Sequence, residues 1–74
     1  MHGEGKMIYE GGDEYEGEYK NDLKDGHGTF KWDNGIIYKG EWKDNKQHGI
    51  GEITSKSGKV RKGKWNEGER VKWL

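Results

Sequence analysis

Cysteine, proline and alanine are absent from the 74 residues, and phenylalanine occurs once. Without cysteine there is no disulfide framework and no thiolate metal site. Apolar residues make up only 27% of the chain, against roughly 45–50%, glycine counted, in globular domains. No apolar run approaches the roughly 18–20 residues of a membrane-spanning helix, and no positively charged segment leads into an apolar stretch as in a signal peptide. A helical period is missing as well. Charge is abundant instead, at 38% of residues, with 14 glycines and nine aromatic side chains. Such a composition leans toward disorder unless the aromatics are placed with a period. A chain this short is at most one small domain, burying only about 60% of its unfolded surface.

The aromatics do have a period, of 23 residues. Tyr15-Glu16-Gly17-Glu18-Tyr19, Tyr38-Lys39-Gly40-Glu41-Trp42 and Arg61-Lys62-Gly63-Lys64-Trp65 are one period apart. The same offset relates Gly3-Glu4-Gly5, Gly26-His27-Gly28 and Gly49-Ile50-Gly51, and again Gly12, Gly35 and Gly58. Three features sharing one offset define a repeat protein. The units are a partial one at 1–14, full ones at 15–37 and 38–60, and a divergent terminal one at 61–74.

Within a unit the pattern alternates, as a strand requires. Tyr15, Gly17 and Tyr19 point to one face, and Glu16 and Glu18 to the other. After a polar, turn-like stretch over 20–25, Gly26, Gly28, Phe30 and Trp32 again share a face. An antiparallel hairpin with Tyr19 opposite Gly26 places Gly17 opposite Gly28 and Tyr15 opposite Phe30. Glycine is poor in strands unless something must occupy the space of its side chain. Here the expected occupant is a neighbouring ring. Between units, Trp32-Asp33-Asn34-Gly35-Ile36 fits a three-residue loop with Gly35 left-handed. Glu10-Gly11-Gly12 and Lys56-Ser57-Gly58 stand in the matching places. The predicted fold is all-β: an elongated single-layer antiparallel meander of six or seven strands, about 30 Å long at roughly 4.8 Å per strand.

The motif Tyr-x-Gly-Glu-Tyr/Trp, a polar turn, Gly-x-Gly and a turn glycine resembles the MORN repeat (membrane occupation and recognition nexus). The resemblance covers 15–37 and 38–60 in full and both ends in part. It implies a twisted single-sheet array of hairpins and association with membranes and cytoskeletal assemblies, commonly within larger proteins. Residues 1–14 begin in mid-unit. The terminal unit has Arg61 for tyrosine and Lys72-Trp73-Leu74 where Gly-x-Gly is expected. Both ends read as a segment of a longer array, with capping variants as the other reading.

The candidates for chemistry are thin. His2, Asp25 and His48 share one repeat position, but equivalent strands lie roughly 9–10 Å apart, too far for a shared zinc at about 2.0–2.1 Å. Glu18 and Glu41 share another position, followed there by Lys64. Solvated cross-strand charge pairs explain them better than a carboxylate pair for hydrolysis. Ser55 and Ser57 lie in a lysine-rich turn, and Gly49-Ile50-Gly51 lacks the third glycine and the helix of a dinucleotide site. The sequence therefore predicts no catalytic residues, no metal and no cofactor.

Binding is the remaining class. Tyr15, Tyr19, Phe30, Trp32, Tyr38, Trp42 and Trp65 are candidates for a core whose open side forms a groove for a helix or extended peptide. Residues 1–37 carry four lysines and nine acids, net −5, and residues 38–74 ten basic and five acidic side chains, net +5. The densest basic stretch offers Lys56, Lys59, Arg61, Lys62 and Lys64 as contacts for anionic lipid or an acidic protein. Strand alternation divides them between faces. Nucleic acid is disfavoured because half the array is acidic. The expectation is a non-catalytic protein-interaction scaffold, with a weak phosphoinositide or acidic-phospholipid binder as the alternative. Homo-association through oppositely charged ends is expected, and the location is cytoplasmic, peripheral to a membrane or the cytoskeleton.

Overall fold

Residues 2–74 are described by a computed structural model. Alternation of rings with charged residues sets the strands: β1 (Gly3–Ile8), β2 (Glu14–Lys20), β3 (Leu23–Lys31), β4 (Ile37–Lys43), β5 (Lys46–Thr54), β6 (Val60–Asn66) and β7 (Glu69–Trp73). Each pairs antiparallel with its sequence neighbours in one seven-stranded open sheet. The molecule measures 31 × 25 × 16 Å, close to the span expected of a single layer. No helix among the described residues is long and apolar enough to cross a membrane.

The turns alternate between two types. Between units, the Trp32 N–H donates to Ile36 O at 2.9 Å, the Gly35 N–H donates to Trp32 O at 3.1 Å, and Gly35 has φ 92°. This is the expected three-residue loop, and it recurs at residues 9–13 and 55–59. Within units the turns are tighter than the sequence suggests. Residues 20–25 are not a loop: only Asn21 and Asp22 turn, both left-handed with φ 52° and 66°, and β3 already begins at Leu23. Asp44-Asn45 and Glu67-Gly68 repeat this mirror-image turn, whose twist suits a two-residue hairpin.

The tighter turn alters one expected pair. Tyr15 stands opposite Phe30 and Gly17 opposite Gly28, as predicted, but Tyr19 faces Lys24 rather than Gly26. The difference is a bulge in which Asp25, Gly26 and His27 oppose the single residue Glu18. Because two extra residues are inserted, the side-chain alternation survives. The next hairpin does the same, with Trp42 opposite Gln47 and Gly40 opposite Gly51. Gly26 and Gly49 carry this bulge at φ 92° and 70°.

One row of residues crosses the sheet as glycine: Gly5, Gly17, Gly28, Gly40, Gly51 and Gly63 are successive register partners. The Tyr15 phenol fills the space beside Gly28, and the Tyr38 phenol that beside Gly51. The row ends at Trp73, opposite Gly63. There Lys72 takes the place of the bulge glycine, the bulge shrinks to one extra residue, and the register moves so that Trp73 meets the aromatic face. A lysine pays more than glycine for a left-handed backbone, which accounts for the narrower bulge.

Candidate functional site

The two faces of the sheet are chemically opposite. On one, Tyr19, Tyr15, Trp42, Tyr38, Trp65 and Trp73 form a continuous edge-to-face chain with centroid spacings of 5.0–6.2 Å. Each such pair contributes about 0.5–1.5 kcal/mol beyond its buried area. Tyr15 and Tyr38 are fully buried, and Tyr19, Trp42 and Trp65 nearly so. The Tyr15 hydroxyl donates to Glu18 O at 3.0 Å and the Tyr38 hydroxyl to Glu41 O at 2.9 Å. Trp42 Nε1 donates to Gly28 O at 3.2 Å. Burial, assisted by the Glu41 charge, pushes the Tyr38 phenol up to about 12. Burial, then the neighbouring Tyr19 and Glu18, raises Tyr15 well beyond the ordinary phenol range.

Of the seven aromatic candidates, five therefore form the core, while Phe30 and Trp32 are half-buried along its margin. Tyr9, Ile53 and Trp73 complete it. Lys24 is the residue the sequence reading missed on this face. It lies within a turn-like polar stretch of sequence, yet its Nζ stands 5.2 Å from the Tyr9 ring and 5.3 Å from Tyr15.

On the opposite face the backbone of the glycine row lies bare, because the side-chain positions of that row turn to the aromatic face. Gly5, Gly17, Gly28 and Gly40 floor an open trough of about 690 Å³, with Glu4, Lys6, Glu16, Thr29 and Lys39 along its sides. A second trough of about 440 Å³ lies beside it, between the row of Glu16, Thr29, Lys39 and Glu52 and the row of Lys31, Ile37, Thr54 and Val60. The register aligns Lys6, Glu16, Thr29, Lys39, Glu52 and Lys62 in one row. The charged members of this row alternate in sign, with the neutral Thr29 among them, and Lys6, Glu16 and Lys39 flank the trough.

Glu18 is exposed, as expected, and Glu41 half-buried, but each does more than pair charges across strands. Glu18 Oε2 accepts the His27 N–H at 2.7 Å, and Glu41 Oε2 accepts the Ile50 N–H at 2.6 Å. Each carboxylate closes a bulge by bonding an amide that the ladder leaves unpaired. That role explains why Glu recurs after the strand glycine.

The repeating unit is now defined by its ring over glycine, its glutamate-closed bulge and its two turn types. The MORN repeat family model matches residues 1–14, 15–37 and 38–60. The chain belongs to the MORN repeat family. No curated protein matches it. Repeats of this MORN type form non-catalytic modules generally associated with protein and membrane interaction.

In this MORN array the five basic candidates separate. Lys56, Lys59, Arg61, Lys62 and Lys64 are all exposed, but the Arg61 guanidinium stacks 3.9 Å from the Trp73 ring on the aromatic side. Lys62 stands opposite Glu52, and Lys64 opposite both Ile50 and Lys72. Among the described residues no group of three or more His, Cys, Asp or Glu side chains is arranged to hold a metal ion. His48 is half-buried, with an enclosed Nδ1 that has no hydrogen-bond partner.

Proposed function

We infer that this MORN array is a non-catalytic scaffold that binds a polypeptide along its charged trough. One observation carries the reading: an open trough floored by bare backbone lies beside side chains of alternating charge. Paired opposite charges supply register and specificity more than raw affinity. The aromatic groove expected from the sequence contributes less, because most of its rings are buried against one another. The acidic first half and basic second half give the trough a polarity that orients a partner.

The test places a photoreactive residue at Thr29, in the trough, and irradiates the chain in extract from its own source. Polypeptide adducts that vanish in Lys39→Glu support the reading. Adducts indifferent to Lys39→Glu, or none, overturn it. A second reading, binding of acidic phospholipid, draws on Lys62, Lys64 and Lys72 lying together on one face. At about 1 kcal/mol each these give millimolar binding at best. Sedimentation with phosphoinositide vesicles at physiological salt measures it directly, and micromolar binding lost in Lys62→Glu/Lys64→Glu would put the membrane first.

A further inference from the structure

Positions 24, 47 and 70 are one repeat apart and stand opposite Tyr19, Trp42 and Trp65 on the aromatic face. In the first unit the Lys24 ammonium is enclosed by four rings, 5.2 Å from Tyr9, 5.3 Å from Tyr15 and 5.9 Å from both Phe30 and Trp42. In the last unit the Arg70 guanidinium lies 4.4 Å from the Trp73 ring centroid. The middle unit has Gln47, which is neutral.

The surface around Gln47 is nevertheless the same surface. One repeat converts Tyr9, Tyr15, Phe30 and Trp42 into Trp32, Tyr38, Ile53 and Trp65. The Tyr15–Trp42 edge pair, 5.4 Å at 86°, is matched by Tyr38–Trp65, 5.0 Å at 80°. Tyr15 opposite Phe30 is matched by Tyr38 opposite Ile53. Among the described residues no cation lies over Trp32, Tyr38 or Trp65, and Trp32, Gln47 and Ile53 are only half-buried. Tyr38 is fully buried and Trp65 nearly so, so an incoming group must displace the Gln47 side chain to reach their rings. Ring faces carry the negative lobe of the aromatic quadrupole and attract a cation most strongly where water is excluded.

We propose that the middle unit accepts a lysine side chain from a partner polypeptide, its ammonium entering beside Gln47 against Trp32, Tyr38 and Trp65 as Lys24 does one repeat earlier. Lysine fits better than arginine on this molecule's own evidence. The ammonium is the cation enclosed among several rings, whereas Arg61 and Arg70 each lie over the single indole of Trp73. Long-range charge does not favour the site, which lies in the basic half of the chain; its attraction for a cation is local, from ring faces that carry no cation of their own. The site lies on the face opposite the trough and stands independently of what the trough binds.

The test uses the intact chain and Nα-acetyl-lysine methylamide as probe, with the indole N–H resonances of Trp32 and Trp65 as readout. Wild type is expected to show saturable shifts at both indoles, several-fold larger than those caused by the uncharged norleucine analogue. Gln47→Lys fills the site from within and abolishes the response, while Lys24→Gln opens the first unit and adds a saturable shift at Trp42. Absence of shifts in wild type, an equal response to norleucine, or a response surviving in Gln47→Lys would each overturn the proposal. The comparison of wild type with Gln47→Lys suffices if Lys24→Gln does not fold.

Discussion

A side chain added at Gly51 would have to share space with the Tyr38 phenol, which the surrounding rings hold in place. Gly51→Val is therefore expected to cost about 3 kcal/mol through overpacking, although valine is the better strand former. Thermal melting would register this as a fall of more than ~10 °C. An unchanged or higher melting temperature would disprove the ring-over-glycine contact. Gly58 is the contrasting case. Nothing lies within 4 Å of the space a side chain would take, and only its φ of 90° resists substitution. Gly58→Asn, which tolerates the left-handed backbone, should lose less than about 1 kcal/mol. The buried phenols set a pH limit of the same residue-scale origin. Tyr15, Tyr19 and Tyr38 hold their protons above the ordinary value of 10.0 in the folded state, Tyr38 to about 12. Below pH 10 both states are protonated and nothing is lost. Between pH 10 and 12 the unfolded chain ionises first, so stability falls by up to about 1.4 kcal/mol per pH unit each for Tyr15 and Tyr38, with Tyr19 adding in the same direction. Denaturant titrations across that window should show the slope, and a shallower one in Tyr38→Phe.

At the scale of the hairpin, the turns are the place to look for stabilisation. Glu67 adopts φ 51° in a mirror-image turn whose preferred first residue is asparagine. Glu67→Asn should stabilise the last hairpin by about 0.5–1 kcal/mol, visible as a higher denaturation midpoint, and a lower midpoint would refute the turn assignment. The turns also explain which parts of the fold the sequence discloses. Gly35 marks its loop because a left-handed position with glycine is easily recognised, and period-two alternation gives Tyr15 opposite Phe30 directly. Asn21-Asp22 and Asp44-Asn45 lack glycine, so their polar neighbours merge with them into an apparent loop. The bulge is invisible for another reason: it depends on Glu18 and Glu41 bonding backbone amides nine residues away, and composition does not distinguish those carboxylates from solvated ones. Lys24 is hidden likewise, since only the tightness of the turn brings it onto the ring face. Trp73 reaches the aromatic chain through a register change that begins at Lys72, where the repeat pattern itself fails.

For the molecule as a whole, cohesion is uneven along the sheet. Tyr15, Tyr38 and Trp42 sit under the central strands, whereas β1 and β7 are mostly exposed and each pairs on one side only. Amide exchange should accordingly be slowest in β3, β4 and β5 and fastest in β1 and β7, as in a linear array of coupled units. Uniform protection across all seven strands would mean that the sheet opens only as a unit. The meander has a further consequence, in time rather than in stability. Every strand finds its partner immediately before or after it in the chain, so no distant segments must meet before the sheet can grow. Slow folding of β proteins comes from the entropy of closing long loops, and none is closed here. Any hairpin can start and its neighbours zip onto it, which puts folding on the roughly millisecond-or-faster scale of local topologies rather than the millisecond-to-second scale of β-sandwiches.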